Sequence, residues 1–352
     1  MAWKLISRVP NPWGEVAVTD DGRSITPKVK AYMDRIAEVA TKRDCVSRRH
    51  HYVPQSYLRA WSPDGKRVRV LDTRNGIDKL RGLRDTCVQE NFYRVTDPKT
   101  GPHNQVEAML GVIDDETAVL LEKLRSWKPG DDVQFGDFMS LSVVMGLQRN
   151  RTPQARRQIA SMEDWSTRRA GQPAQELTTD YYVDVLFRAM YKAADQISLR
   201  QLELWDDPQD RFITCDQPVL FSRDGSAGTP SMLTSRYVWW PISPHRLIAF
   251  SEVHRGQKVV HRVVTRREVD EVRTTFIRGA ESAIIALPED RDLPAGKRLH
   301  KRPQLQVECQ RLNVRECGLH LGWGSYGTGP LDKACQPLCA VAALNRHSEL
   351  TS

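Results

Sequence analysis

The chain has 352 residues, a formal net charge of +8 at pH 7, 40% hydrophobic residues and 27% charged residues. This is an ordinary globular composition with room for a large core. It contains no apolar run of the roughly 18 residues that a membrane helix requires, and its first residues lack the pattern of a secretory signal. We therefore expect a cytoplasmic protein without a membrane span. The positive charge favours nucleic acid or nucleotides as partners.

Composition and periodicity divide the chain into three parts. Residues 1–44 are predicted to be an N-terminal extension, with an irregular Gly-, Pro- and Asp-rich arm followed by one helix from Pro27 to about Lys42. Residues 45–290 are predicted to form a single domain. Residues 291–352 are rich in Gly, Pro and Arg and have no convincing periodicity, so we expect a loosely attached tail.

The first half of the domain has helical periodicity. Its predicted elements are a short helix at Gln55–Trp61, a strand at Val68–Asp72 followed by an Asn-Gly turn, and longer helices at Gln105–Ser126, Gln134–Met162 and Asp180–Gln196. Pro153 is expected to interrupt or kink the second of the longer helices.

The second half changes to the period of strands. Predicted strands cover Ser198–Trp205, Phe212–Thr214, Val219–Phe221, Tyr237–Trp240, Leu247–Phe250 and Ser282–Leu287, with one helix at Arg266–Gly279. Their close succession favours antiparallel pairing, so the predicted class is α+β. Alternation directs Trp239 and Trp240 to opposite faces, and at most one of them lines a site.

The segment from residue 48 to residue 61 concentrates polar side chains around one proline: Arg-Arg-His-His-Tyr-Val-Pro-Gln-Ser-Tyr-Leu-Arg-Ala-Trp. Because imidazole exchanges protons near neutral pH, we interpret His51 as a catalytic acid or base. Gln55 and Tyr57 are candidate substrate-binding residues. Two adjacent histidines cannot face the same way along a strand, so one is expected to face outward. Alternatively, His51 and Gln55 bond to backbone groups and lock a proline turn.

Two helices carry further candidates. Glu107 and Asp114 stand seven residues apart on one helix face, where paired carboxylates can hold a divalent cation such as Mg²⁺ or Mn²⁺. The alternative is an ordinary solvated acidic face. Gln148 and Arg151 lie one turn apart where an apolar helix becomes polar, and we interpret Gln148 as substrate-binding. Arg151 is suited to clamp a phosphate or carboxylate, or to anchor Glu107 or Asp216 in an ion pair.

Asp216 is the best single candidate carboxylate. It lies in the sequence Thr-Cys-Asp-Gln-Pro-Val between two apolar strand segments, at the kind of strand boundary where sites are built. We predict that it is catalytic and that it shares a metal ion with Glu107 and Asp114. The alternative is an Asx-type turn in which its side chain bonds to a backbone amide while Pro218 fixes the bend.

Taken in order, these segments resemble a widespread bacterial family defined by a His-Tyr-Val-Pro-Gln-x-Tyr-Leu opening. The similarity runs from about His50 to about Leu287 and includes the sequences Asn-Phe-Tyr, Thr-x-Asp-x-Pro-Val and Trp-Pro-Ile-Ser-Pro. Gln217 and Cys215 depart from the family, which typically has Asn and Ser there. The resemblance implies a bacterial or phage accessory protein.

Two functions are consistent with these residues. The first is a metal-dependent hydrolase of phosphodiester or nucleotide substrates, with Glu107 and Asp216 holding the cation, His51 as acid/base and Arg151 stabilising negative charge. The second is a non-catalytic module that binds nucleic acid or protein and whose polar cluster is structural. The hydrolase hypothesis expects His51, Arg151 and Asp216 to share one cavity.

Overall fold

The computed structural model describes residues 5–11, 14–19, 27–42, 47–99, 101–169, 173, 176–222, 232, 235–253, 255–294, 304–311 and 317–324. Helices dominate the first half of this region and antiparallel strands dominate the second, which confirms the α+β class. Among the helices of these ranges, none is long and apolar enough to cross a membrane.

The helices lie close to the positions that the 3.6-residue period indicates. They are α1 (Pro27–Thr41), α2 (Gln55–Leu58), α3 (Gln105–Ser126), α4 (Phe135–Asn150), α5 (Pro153–Arg169), α6 (Thr179–Ser198) and α7 (Arg266–Gly279). The predicted helix at 134–162 is two helices, because Pro153 starts a new helix after the break at Arg151 and Thr152.

Strands appear at most of the places where short apolar runs alternate. They are β1 (Leu5–Asn11), β2 (Gly14–Thr19), β3 (Arg49–His51), β4 (Arg67–Asp72), β5 (Asp78–Gly82), β6 (Val88–Glu90), β7 (Val95–Asp97), β8 (Gly101–His103), β9 (Gln201–Asp206), β10 (Thr214–Cys215), β11 (Leu220–Phe221), β12 (Tyr237–Pro241), β13 (Arg246–Ser251), β14 (Val259–Val263), β15 (Ala283–Ala286), β16 (Gln304–Arg311) and β17 (Cys317–Gly324).

Two larger sheets organise the family domain. One has the order β11-β12-β13-β9-β14 and is antiparallel except where β14 lies parallel to β9. The other has the order β10-β15-β4-β5 and is antiparallel throughout. In the second sheet β4 pairs with β15, which joins residues near the start of the domain to residues near its end.

Buried apolar side chains form two clusters. The larger contains residues of α1 to α4, of α6 and of the 48–61 segment, with Trp61 and Trp240 among its fully buried members. The smaller lies around α7 and contains Trp205, Trp239 and Phe276. The neighbours Trp239 and Trp240 thus face different clusters, as strand alternation predicts.

Both chain ends differ from the expectation of irregular structure. Strands β1 and β2 pair as a hairpin, and β16 and β17 pair as another. In the first hairpin Pro10 lies in β1 and Gly14 lies in β2, so the presence of proline and glycine does not mark an irregular arm. In β16 the apolar residues Leu305, Val307 and Cys309 alternate with polar ones, a strand pattern that the surrounding Gly and Pro content obscured. Residues 325–352 of the predicted tail lie outside the described residues.

The packing of α4 against α6 depends on Gly146. A Cβ atom at this position of α4 would lie 2.7 Å from the carbonyl oxygen of Met190 in α6 and 3.1 Å from Cβ of Ala193. Because a backbone carbonyl cannot move aside cheaply, Gly146→Ala is expected to lower the free energy of unfolding by about 1–3 kcal/mol, although alanine favours helices.

Gly136→Ala in the same helix is the matched control, because a Cβ there meets no atom within 4 Å. We expect it to leave stability unchanged or to raise it by up to about 1 kcal/mol. Urea denaturation of both variants measures the difference. Equal stability of the two variants would contradict the packing argument.

Candidate acid–base site at the His51 segment

Strand β3 presents two adjacent histidines to different surroundings. It pairs with β6, which places His51 opposite Val88, and the chain then turns at Pro54, whose backbone is extended with φ −61° and ψ 141° before α2 begins. His50 is fully buried and His51 is half-buried. The predicted opposite orientation of the two imidazoles follows from the alternation of side chains along a strand.

His50 is a structural residue. Its Nε2 lies 3.0 Å from the carbonyl oxygen of Ser47, and its Nδ1 accepts the backbone N–H of Tyr93 at 3.0 Å. Its ring stacks on Tyr93 with a centroid separation of 5.9 Å. Asn91, in the left-handed region with φ +53°, makes the turn that leads to Tyr93. Burial lowers the pKa of His50, so it is a neutral, fully bonded imidazole.

The imidazole of His51 is not satisfied in the same way. Its Nε2 atom is buried and has no hydrogen-bond partner among the described residues. Burial lowers the pKa of His51, the carbonyl groups of Leu83 and Arg84 oppose this shift, and the charges of Arg49 and Arg151 add to it. His51 is therefore uncharged at neutral pH and has a nitrogen available for a ligand or a proton.

Arg151 holds the backbone beside this imidazole. Its guanidinium, 1% exposed, binds Asp114 with two parallel hydrogen bonds of 2.7 and 2.9 Å. Nε also donates to the carbonyl oxygen of Tyr52 at 3.2 Å, and Nη2 lies 3.4 Å from that of His51. Gln148 donates to the same Tyr52 oxygen at 3.0 Å. The sequence left open an ion pair of Arg151 with Glu107 or Asp216; the structure instead pairs Arg151 with Asp114.

Glu107 approaches residue 51 from α3. Its Oε2 is buried without a hydrogen-bond partner among the described residues. Burial raises the pKa of Glu107 to about 8; the charge of Arg151 opposes the shift, that of Asp114 adds to it, and the backbone N–H of His51 opposes it. At neutral pH Glu107 is therefore largely protonated. It lies against the backbone N–H of His51, whose Nε2 atom has no hydrogen-bond partner among the described residues.

Three arginines lie near Asp85, and we call them the basic rim: Arg49, Arg81 and Arg84. The charge of Arg49 also acts on His51. Arg49 donates to Asp85 at 2.6 Å and to the carbonyl oxygen of Arg84 at 2.9 Å. The hydrogen bond from Arg49, with the charges of all three arginines, lowers the pKa of Asp85. With one carboxylate for three guanidinium groups, the rim keeps a net positive charge. Sequence reasoning missed this cluster, because Arg84 lies 35 positions after Arg49 in the chain and no sequence pattern joins the two.

The two other predicted residues of the opening segment differ in their surroundings. The hydroxyl of Tyr57 donates to the carbonyl oxygen of Pro241 at 2.6 Å and lies 2.7 Å from the hydroxyl of Thr214, fully buried. Gln55, the first residue of α2, is half-buried, and its side chain has no hydrogen-bond partner among the described residues. Gln55 therefore has an amide available for a ligand, whereas Tyr57 fastens the segment to the second half of the chain.

Asp216 is bonded to the turn that precedes β15. Its carboxylate accepts the backbone N–H groups of Glu281, Ser282 and Ala283 at 2.8, 2.7 and 3.1 Å and the Ser282 hydroxyl at 2.7 Å. Burial raises its pKa to about 6, against the effect of these hydrogen bonds. The side chain of the neighbouring Gln217 is also bonded within the protein. Its amide N–H donates to the carbonyl oxygen of Arg149 at 2.9 Å, and its amide oxygen accepts a hydrogen bond from the Thr152 hydroxyl.

The structure thus gathers His51, Glu107, Asp114, Gln148 and Arg151 around the backbone of residues 51 and 52. Asp216 makes no hydrogen bond or ion pair with His51 or Arg151 among the described contacts. The charge of Asp216 raises the pKa values of Tyr52 and Cys87, and in both cases burial is the larger cause of the shift. Whether one cavity encloses the three predicted catalytic residues remains a prediction.

The predicted metal ligands are engaged in other contacts. Both oxygens of Asp114 bind Arg151, and both oxygens of Asp216 accept hydrogen bonds from residues 281–283. Within the described ranges, no group of three or more His, Cys, Asp or Glu side chains is arranged to hold a metal ion. The assignment of Glu107, Asp114 and Asp216 as ligands of Mg²⁺ or Mn²⁺ stays a prediction.

These features define an α+β protein in which a buried arginine–carboxylate pair holds the backbone of His51 and Tyr52, beside the carboxyl group of Glu107. The chain belongs to the family described as protein of unknown function DUF4238, whose sequence model matches residues 49–290. Comparison with curated proteins and with solved structures finds no match.

The Arg151–Asp114 pair generates a stability prediction. Asp114→Ala leaves a fully buried guanidinium without its counter-charge and is expected to lower the free energy of unfolding by about 3–5 kcal/mol. The control in the same helix is Glu122→Ala. Glu122 pairs with Arg125 at 3.6 Å but is 75% exposed, so its loss is expected to change stability by at most about 1 kcal/mol. Denaturant unfolding measures both, and equal effects would contradict the role given to the buried pair.

Glu107 generates a prediction on pH. An unfolded chain releases the Glu107 proton near its ordinary pKa of 4.5, whereas the folded protein keeps it up to about 8. The unfolded state therefore binds fewer protons between these values, and the contribution of Glu107 to stability falls as pH rises through this window. In Glu107→Gln this fall is absent, because the amide does not titrate.

Unfolding free energies of both proteins at pH 4.5, 6 and 8.5 test the prediction. The free energy of unfolding of Glu107→Gln minus that of the unmodified protein is expected to increase as pH rises. The contributions of all other titrating groups cancel in this difference. A difference that does not change with pH would show that Glu107 is ionised in the folded state.

Proposed function

We propose that the protein is a hydrolase of phosphodiester or nucleotide substrates, with acid–base chemistry at His51 and Glu107. One observation carries the proposal: two buried polar atoms, Nε2 of His51 and Oε2 of Glu107, have no hydrogen-bond partner among the described residues, and the Glu107 carboxyl lies against the backbone N–H of His51. Buried polar groups are normally bonded, so an unbonded pair beside a charged network marks a candidate site for a ligand.

The protonation states of the two side chains suit complementary roles. His51 is neutral at pH 7 because burial lowers its pKa, so it can accept a proton from an attacking water molecule. Glu107 is largely protonated at pH 7, with a pKa of about 8, so it can donate a proton to the leaving oxygen. In this scheme the water oxygen bonds to phosphorus, the phosphorus–oxygen bond to the leaving group breaks, and one proton moves to His51 while another leaves Glu107.

The basic rim supports the assignment of a phosphate-containing substrate. The charges of its three guanidinium groups act on Asp85, which forms an ion pair with Arg49, and the charge of Arg49 also acts on His51. Guanidinium groups bind phosphate oxygens with two parallel hydrogen bonds, and their charge stabilises negative charge that develops in the transition state. Gln55, whose amide is unbonded, is proposed to contact the substrate beside the rim.

Arg151 and Asp216 take different roles in this proposal from those the sequence favoured. Arg151 is a positioning residue, because both of its Nη atoms bind Asp114 and its contacts to residue 51 are to the backbone. The four hydrogen bonds to Asp216 support a positioning role for the turn at residues 281–283. A divalent metal ion, Mg²⁺ or Mn²⁺, is included in the assay because Glu107, Asp114 and Asp216 are the predicted metal ligands.

A second candidate function is a binding module for nucleic acid or a partner protein. The observation that favours it is the completeness of the remaining polar network: the side chains of His50, Tyr57, Gln148, Arg151 and Asp216 are all bonded within the protein. In this case the basic rim recruits the partner and no turnover occurs.

His51→Ala separates the two functions. As an acid–base residue, His51 contributes about 10²- to 10⁴-fold to the rate, so its loss lowers turnover by this factor while the melting temperature changes little. The assay uses single-stranded DNA, RNA and nucleotides with and without Mg²⁺ or Mn²⁺, and melting is measured on the same preparation.

His245→Ala is the matched control, since this imidazole is 46% exposed and is bonded to Asp210 rather than to the site. It is expected to keep both turnover and stability. Binding without turnover by the unmodified protein would favour the module. Full turnover by His51→Ala, or its loss only together with the fold, would refute the catalytic role.

A further inference from the structure

A second candidate site is built from the second half of the chain. A cavity of about 120 Å³ is lined by Trp205 of β9, by Tyr237 and Trp239 of β12 and by charged residues of β14 and α7. We call it the indole pocket. Pockets that enclose a whole small ligand usually measure roughly 300 Å³ or more, so the indole pocket has room for one planar group of a larger ligand.

The three aromatic rings are packed at fixed angles. Tyr237 and Trp239 are stacked with centroids 6.0 Å apart, and Trp205 meets Tyr237 nearly edge-on at 4.9 Å. Trp205 and Trp239 are buried, while Tyr237 is half-buried and presents the accessible aromatic surface of the pocket. A flat partner that contacts this surface also meets the Arg236 guanidinium, which lies over the Tyr237 ring.

The four charged residues of the pocket fall into two groups. Arg262 lies 4.5 Å above the Trp205 ring and forms an ion pair with Glu268, which is itself fixed by capping α7 at Thr265. Arg236 lies 5.2 Å from the Tyr237 ring centroid. Neither Arg236 nor Glu271 has an ion pair or a side-chain hydrogen bond among the described contacts, and both are exposed. The lining charges sum to zero, which favours an uncharged group with both acceptors and donors.

A further hydrogen-bond donor lacks a partner. Trp239 is 1% exposed, and its indole N–H has no acceptor among the described residues. A buried donor without an acceptor has a free-energy cost. This cost makes a ligand acceptor at the pocket favourable.

A guanine base has the chemistry that these groups require. Its O6 and N7 atoms form the acceptor pair that arginine binds with two hydrogen bonds, and Arg236 can supply them. Its N1–H and amino group are donors for the Glu271 carboxylate, and its flat face suits stacking on an aromatic ring. Adenine has a donor in place of O6, and the pyrimidines lack N7. From the aromatic wall, the unbonded indole N–H and the unpaired Arg236 and Glu271, we infer that the indole pocket binds a guanine base.

This inference does not rest on hydrolysis at His51. The base can come from a free nucleotide or from single-stranded nucleic acid, and both present the same donors and acceptors. A pocket for one base would give a nucleic-acid-binding protein a sequence preference, whereas free guanine nucleotide alone would make it a nucleotide-binding protein.

Isothermal titration of the full chain tests the inference. The ligands are GMP, AMP, CMP and UMP, followed by single-stranded tetranucleotides with and without guanine. GMP is expected to bind most tightly, and guanine-containing tetranucleotides tighter still if the source is a polymer. Arg236→Ala and Glu271→Gln are each expected to weaken GMP binding by about 5- to 150-fold, the value of one bidentate base contact, and to reduce the preference for guanine.

The controls are Arg255→Ala and Glu252→Gln, which change exposed residues of the same types outside the pocket lining. Their GMP affinity is expected to equal that of the unmodified protein. Turnover is measured separately from GMP binding, so failure of the hydrolase proposal remains a separate result. Absence of GMP binding, equal affinity for all four nucleotides, or a guanine preference that survives in both pocket variants would overturn the inference.

Discussion

The bidentate pair between Arg151 and Asp114 connects three segments that are remote in sequence. It links the end of α4 to the middle of α3, and the remaining donors of the guanidinium hold the carbonyl groups of His51 and Tyr52. Because the guanidinium is buried, its charge has to be balanced inside the protein, and the two parallel hydrogen bonds fix the balancing carboxylate in orientation as well as distance. The placement of the His51 imidazole follows from this constraint.

Much of the fold was predictable where periodicity and stop signals agree. Helices α3 and α7 have the predicted bounds, because each apolar stripe ends at a clear break. Strand β14 was missed because its parallel pairing with β9 comes from residues more than fifty positions away. The terminal hairpins were missed because the segments around them are rich in glycine and proline as a whole. The alternating pattern of a strand occupies only short stretches of these segments.

The site was predictable as a set of residue types but not as a set of contacts. The sequence separated His50 from His51, yet the partners that satisfy His50 are backbone groups of Ser47 and Tyr93, which no side-chain pattern reveals. Likewise Glu107 and Asp114 lie on the same face of one helix. Which of them forms the ion pair with the buried Arg151 depends on how the helices pack, and the sequence pattern does not show this. The basic rim was missed for the same reason.

The fastening of the opening segment to the second half has a consequence for biosynthesis. Tyr57 bonds to a carbonyl group 184 positions later in the chain, Trp61 to one 151 positions later, and β4 completes its sheet only with β15. Such distant contacts make folding slow, since loop closure precedes the gain from each contact. On the ribosome, Tyr57, Trp61 and β4 emerge before these partners exist. Their apolar surfaces stay exposed during elongation, and the chain is therefore expected to need chaperone protection until its last sheet strand is synthesised.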